Sequence, residues 1–268
     1  MGDDKQLPPL VLSKEAGEQG LASSLFSQLK GLEEHYTEKH QERVSACVSL
    51  KTQYRMNRWI SNFSSTVFYE KQLIAHESAA NRRLALVGRT TRPETEAISR
   101  AIAPELPLVF LNVRGTQENS VLKASNAEAQ AVRDVVRGFL NRGIKEETIG
   151  IIALYRAQVA NIRRMLFEDD TACDWVGLPI TTPLSVDTVD RFQGGERSII
   201  IMSFATSSEP EVNSLRREFL TNPNRLNVAL TRAQHKLVLV GCVPALEHLP
   251  IFERLVAYCR SMKTIIEV

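Results

Sequence analysis

Residues 125–154 read SNAEAQAVRDVVRGFLNRGIKEETIGIIAL, and this stretch decides the fold. Ser125 and Glu128 stand at the spacing of a capping box, in which the Ser hydroxyl accepts a backbone N–H and the Glu side chain reaches back. Val132, Val135, Val136, Phe139 and Leu140 then fall on one stripe of a helix. Gly143 stops it, because glycine tolerates the backbone that closes a helix. The apolar run Ile149–Leu154 follows directly and has the length of a strand. An amphipathic helix feeding a Val/Ile/Leu-rich strand is the unit of a parallel sheet covered on both faces.

The same alternation runs outward from about residue 46, with strands expected at Cys47–Lys51, Leu108–Val113, Ser185–Val189, Ser198–Phe204 and Lys236–Cys242. The expected class is therefore α/β. Residues 75–107 have no sustained period and read as an irregular insertion whose basic residues, Arg82, Arg83 and Arg89, are solvated. From Ser13 to about Arg43 the spacing of Leu21, Leu25, Phe26 and Leu29 predicts a helix that runs into a solvated charged segment. His35 and His40 lie in that charged stretch, and their spacing and solvation speak against a metal pair.

A chain of 268 residues, 43% hydrophobic and 24% charged, suffices for one substantial core. With 33 Lys+Arg against 31 Asp+Glu the net charge is +2, which excludes a bulk positive field, so any nucleic-acid contact must be local. Cys47, Cys173, Cys242 and Cys259 show neither zinc spacing nor a secreted disulfide framework, and reduced thiols are expected. No apolar run spans a bilayer and no signal-peptide layout opens the chain, so a soluble intracellular protein is expected. The polar turn after Met1 has no strand leading into it, which predicts a start in mid-domain.

Two absences narrow the chemistry. No Gly-Lys dipeptide occurs, so the glycine-rich loop that wraps nucleotide phosphates is missing. No Asp-Glu pair follows an apolar strand, so a magnesium-binding and water-activating acidic pair is missing too. What remains are polar clusters at strand ends, where open α/β sheets gather ligands. Gln53-Tyr54-Arg55 offers a guanidinium for phosphate and a ring for a base, or else a helix-start Arg paired with a carboxylate, the commoner arrangement. Val186 to Glu196 contains Thr188, Asp190, Gln193, Gly194, Gly195 and Glu196, and reads equally as a ligand loop or a glycine turn between core strands. Arg225 and Arg232 share one side of a helix, and spacing alone favours solvation over phosphate.

The order of these clusters says more than any one of them. Gly-Asp-Asp-Lys-Gln-Leu-Pro-Pro at 2–9, Thr-Gln-Tyr-Arg-Met-Asn at 52–57, Ile-Ala-Leu-Tyr-Arg-Ala-Gln at 152–158, Val-Asp-Thr-Val-Asp-Arg-Phe-Gln-Gly-Gly-Glu at 186–196 and Arg-Leu-Asn-Val-Ala-Leu-Thr-Arg-Ala at 225–233 resemble superfamily 1B helicase motifs III, IV, an intermediate motif, V and VI. Within that superfamily the likeness is nearest to the helicase/nucleases of eukaryotic DNA replication. The resemblance implies a second RecA-like motor domain over 46–268, preceded over 1–45 by a remnant of the first.

It implies ATP and Mg as cofactors, mainly held by the first motor domain. Arg55 and Arg232 match the arginine fingers, and Gln6 matches the residue that senses the γ-phosphate. Tyr54, Gln53, Gly194 and Glu196 match the nucleotide-binding positions, while Thr188, Tyr155, Arg156 and Gln158 match the grip on the strand backbone. No metal ligand is assigned in this chain. The implied partners are single-stranded DNA, the first motor domain and single-strand-binding replication proteins; the implied compartment is the nucleus, with the mitochondrion second. Nuclease carboxylates and iron–sulfur cysteines of such proteins are not represented. Two other readings stay open: the motor half of an RNA helicase of the nonsense-mediated-decay type, and a stand-alone single-strand-binding or interaction module.

Overall fold

A computed structural model describes residues 2–8, 11, 13–40, 44–88, 94–114, 123–167, 184–192, 195–206 and 220–268. Its centre is a six-stranded sheet, every neighbouring pair parallel, built from β3 (Leu108–Asn112), β4 (Ile149–Ala153), β5 (Ser185–Thr188), β6 (Arg197–Ser203), β7 (Ala233–Gly241) and β8 (Ile265–Glu267). The spatial order is β5-β4-β6-β7-β3-β8. A separate two-residue pair, β1 (Thr52–Gln53) with β2 (Ile74–Ala75), lies outside it.

The inner strands are buried on both faces, as their unbroken apolar runs demand. The register aligns Val186, Ile151, Ile201, Val238 and Val109 across five strands. That row belongs to one core layer, covered by α3 (Glu96–Ile102), α4 (Asn126–Asn141) and α5 (Arg156–Phe167). Alternate residues, including Phe110, Ile152, Ile200, Met202 and Leu239, enter the opposite layer under α2 (Arg58–Phe68), α6 (Pro223–Leu230) and α7 (Pro250–Ser261). Helices on both faces of a parallel sheet are the α/β architecture expected.

The stretch 125–154 folds nearly as read. Ser125 caps α4 by accepting the Glu128 N–H at 3.1 Å, and Gly143 closes it at φ 78°. The reciprocal half of the capping box does not form: the Glu128 side chain turns inward, and the Ser125 N–H goes instead to Gln158.

Three expectations are corrected. Cys47–Lys51 is not a strand; among the described residues only its last carbonyl, that of Lys51, is met by a neighbouring segment, at Ile74 N–H, and Val48 and Leu50 face solvent. Residues 75–107 are not a solvated insertion, because α3 buries Ile98, Ala101 and Ile102 against the sheet. Arg82 there donates from its guanidinium to the Arg55 and Ser78 carbonyls, while its own carbonyl accepts from Asn57. Seven residues, about two helical turns, are too few to show a period, which is why the segment looked irregular. The N-terminal helix is broken by a turn at Gly20, φ 97°, and resumes as α1 (Leu25–Lys39). Leu25, Leu29, Leu32 and Tyr36 form one stripe of α1 and lie open to solvent. Cys47, Cys242 and Cys259 stand in no disulfide, the last two buried; Cys173 lies outside the described residues. Among the described residues no helix is long and apolar enough to cross a membrane.

Candidate functional site

A parallel sheet has two edges, and the polar clusters divide between them. Glu196 immediately precedes β6 and Arg232 immediately precedes β7, so both stand at the amino edge. Arg55 joins them because Asn57, two residues on, donates its backbone N–H to the Gln234 carbonyl at 2.8 Å. Gln53 shapes the loop between: its amide oxygen accepts from the backbone of Arg55 and Met56 at 2.8 Å, and its nitrogen donates to the Met56 carbonyl at 2.9 Å. The side chain of Gln53 is thus committed to the loop that presents Arg55.

Arg55 forms an ion pair with Glu196 and donates to the Thr231 carbonyl at 3.2 Å. Glu196 also accepts from Gln234 at 2.7 Å. Both members of the ion pair are partly exposed, so the pair itself contributes little stability. Tyr54 projects outward and stacks on His76 with centroids 4.5 Å apart.

Arg232 is different. It is 3% exposed, and the expectation that it is solvated is overturned. Its guanidinium donates to three neutral oxygens: Val228 O at 3.0 Å, Gly195 O at 3.2 Å and the Gln6 side-chain oxygen at 3.1 Å. Among the described residues no carboxylate lies within ion-pair distance of it. Burial, and then the charge of Arg55, hold its pKa below the ordinary arginine value, against the more distant Glu196, Tyr69 and Asp3. A buried cation held by carbonyl and amide dipoles keeps an unspent attraction for anions. The two arginines do not share a helix, because α6 ends at Leu230; Arg225, within it, approaches Asp190 at 3.7 Å.

Gln6 reaches Arg232 because its backbone is clamped. Asn224 donates to the Gln6 carbonyl at 2.8 Å and Asn227 to the Lys5 carbonyl at 2.9 Å. Asn227 also donates to the Tyr69 hydroxyl, which donates to Asp3 at 2.7 Å. Tyr69 and Gln234 went unnoticed in the sequence, and Asn224 and His76 were given no role; a polar side chain that reads a distant backbone leaves no periodic signal. Gly194 and Gln193 lie outside the described residues.

The carboxyl edge holds the rest. Thr188 ends β5, and Tyr155 and Arg156 follow β4, with Arg156 exposed as the first residue of α5. From Thr188 the chain returns to the amino edge, and Gly150 has no room for a Cβ, which would stand 2.9 Å from Ile200 and 3.0 Å from the Phe192 ring. Gln158 is not on this surface. It is fully buried, accepting from the Ser125 N–H at 2.7 Å and donating to the Ser125 carbonyl and the Ser203 hydroxyl. Every hydrogen-bonding group of its amide is spent within the fold. Among the described residues no three His, Cys, Asp or Glu side chains converge as a metal site.

Comparison with known proteins shows the family. A family described as an AAA domain matches residues 21–244. The chain is 34% identical, over its whole length, to 24% of the DNA replication ATP-dependent helicase/nuclease of Bos taurus. It is 32% identical over 94% of its length to 17% of the corresponding protein of Arabidopsis thaliana. An uncharacterized ATP-dependent helicase of Methanocaldococcus jannaschii is 32% identical, with 98% of this chain and 34% of that protein covered. The chain thus spans a quarter or less of the two helicase/nucleases. Among solved structures, the C-terminal domain of a possible DNA helicase from Lactobacillus plantarum aligns at TM-score 0.41 and 17% identity, covering 80% of this chain and 98% of that one. Matched over residues 21–244 and carrying superfamily 1B helicase motifs in order, the chain belongs to the AAA domain family as a helicase motor domain.

Proposed function

We propose that this chain is the second motor half of an ATP-dependent DNA helicase or translocase acting in DNA replication and repair. The observation that carries the reading is Arg232, a buried guanidinium that has no carboxylate partner among the described residues and lies beside a second guanidinium, Arg55. Charge that develops on a departing γ-phosphate is what such a pair stabilises. Gln6, 3.1 Å from Arg232, senses the same phosphate from the first motor domain. Tyr54 supplies an exposed ring for the base, and Glu196 holds the ribose or helps close the cleft.

The first motor domain supplies the phosphate loop and holds the Mg, for which this chain presents no ligand set among the described residues. Residues 1–45 belong with that domain, and the solvent-facing stripe Leu25, Leu29, Leu32 and Tyr36 supports this, since a buried partner would cover it. Thr188, Tyr155 and Arg156 grip the strand backbone at the opposite edge. Contacts to phosphate and sugar carry no base code, which suits a motor that steps along any sequence. The relatives' names favour DNA over RNA and a part in DNA replication, and the nucleus is the compartment that such a part implies.

ATP hydrolysis tests this, measured with and without single-stranded DNA on the chain alone and mixed with a separately expressed first half. The expected result is silence alone and DNA-stimulated turnover on mixing. Turnover by the chain alone would overturn the reading, because it would require a phosphate site within these residues.

A further inference from the structure

The carboxylate of Glu128 is completely buried, and no cation is within ion-pair distance of it among the described residues. It is nevertheless saturated. Oε2 accepts from the Ser203 hydroxyl at 2.7 Å and the Ala205 N–H at 2.7 Å, and Oε1 accepts from the Thr206 N–H at 2.5 Å. The two N–H groups can only donate, one to each oxygen, so both oxygens of Glu128 must serve as acceptors there, although burial raises its pKa. The chain around it is bent to suit, with Ala205 at φ 56°, in the left-handed region that non-glycine residues rarely adopt.

The network continues in one direction. Ser203, having given its proton to Glu128, accepts from Gln158 Nε2 at 3.0 Å, and Gln158 ties the N-cap of α4 to the first turn of α5. That first turn is where Arg156 is exposed, directly after Tyr155. A buried, fully satisfied polar network holds its members to one geometry more strictly than apolar packing does.

We propose that Glu128 is a positioning residue, which acts through Ser203 and Gln158 to fix Tyr155 and Arg156 at the edge that grips single-stranded DNA. The proposal rests on the reading of that edge given above. Glu128 touches no strand itself; its effect on DNA passes entirely through the α5 turn.

A double-mutant cycle on the chain separates positioning from general destabilisation. Fluorescence anisotropy of a labelled oligothymidylate gives affinity, and thermal unfolding gives stability. Arg156→Ala is expected to weaken binding about tenfold, the scale of one charge-assisted contact. Glu128→Gln places an amide N–H₂ against N–H donors and is expected to cost a similar factor, with a lower Tm. In the Arg156→Ala background the same change should lower Tm equally yet weaken DNA binding by less than about twofold. Multiplying losses in the double variant, or unchanged affinity in Glu128→Gln alone, would overturn the proposal. Should Glu128→Gln fail to fold, Ser203→Ala cuts the link while sparing both backbone bonds to Glu128. A loss of about threefold, absent beside Arg156→Ala, is then expected, and equal losses in both backgrounds would overturn the proposal. If the unaltered chain does not bind, or Arg156→Ala binds as well as it does, the assignment of this edge to DNA fails, and the proposal with it.

Discussion

The two edges of one sheet solve the problem of polar groups near a core in opposite ways. At the carboxyl edge, Glu128, Ser203, Gln158 and Ser125 satisfy one another inside the protein, with Arg156 exposed beside them. At the amino edge the charges are held provisionally: Arg55 by a half-exposed Glu196, and Arg232 by neutral oxygens alone. A saturated network is a scaffold, because nothing is gained by exchanging its partners. A buried cation without a counterion is a site, because an incoming anion improves its electrostatics.

The sharpest test of that contrast is Arg232. In a motor reconstituted from both halves, Arg232→Ala is expected to lower ATP turnover about 10³-fold, and Arg55→Ala by a similar factor. Arg232→Lys keeps the charge but loses the planar fork that reaches three oxygens, so it should rescue little. Near-normal turnover in any correctly folded variant of this set would erase the distinction between the edges. At the carboxyl edge the expected effect is smaller and of another kind. Arg156→Ala should weaken single-strand binding about tenfold and reduce the log–log salt slope by about 0.7, while leaving its sensitivity to base sequence unchanged. Arg232→Ala should leave that salt slope untouched, and a shift in it would mean that the edges are not separate.

The body of the fold was legible because burial on both faces writes itself as continuous apolar strands, and α4 announces both of its ends. Where the reading failed, the cause was physical. Val48 and Leu50 alternate like a strand, yet a strand exists only where a partner accepts its hydrogen bonds. Helix α3 occupies Glu96–Ile102, too few residues to establish a period. At the site, Gln6, Arg55, Glu196 and Arg232, linked in the sequence only by motif order, stand together in space, whereas helical spacing taken alone put Arg232 in solvent. Helix α6 ends at Leu230, so Arg232 lies in the turn beyond it and its spacing from Arg225 does not set where it points. Gln158 shows the converse, a motif residue spent on the scaffold. Glu128 was seen only as a cap, since local sequence cannot show that a side chain turns inward to meet a strand 75 residues away.

The Arg55–Glu196 pair gives a finer test of what provisional means. Glu196→Gln removes the charge but keeps an acceptor, and Arg55 retains its hydrogen bond to Thr231. In the reconstituted motor the expected change is a rise of about threefold in KM for ATP with kcat within about twofold, the pattern of lost uniform binding. Stability should move by less than about 1 kcal/mol, as for other exposed pairs. A hundredfold fall in kcat would instead make the ion pair part of the device that aims Arg55.

Lys236 offers the smallest effect and the most direct view of burial at the amino edge. It lies on β7 with its ammonium donating to the carbonyls of Ala103 at 2.8 Å and Leu106 at 2.6 Å, which pins the turn leading into β3. Burial pushes its pKa down to about 7, only partly offset by Glu105. The unfolded chain keeps the ordinary value, near 10.5, so between about pH 7 and 10.5 the unfolded state binds the extra proton. Stability from this group is therefore complete above the unfolded pKa and is lost as pH falls through the folded one. Thermal unfolding should show Tm rising by a few degrees from pH 7 to 9 beyond the trend of a Lys236→Met control. Lys236→Met should itself unfold at lower temperature at pH 9, because two buried carbonyls lose their donor. Parallel pH profiles for the two proteins would show that Lys236 stays charged within the fold, its two carbonyls sufficing as solvent.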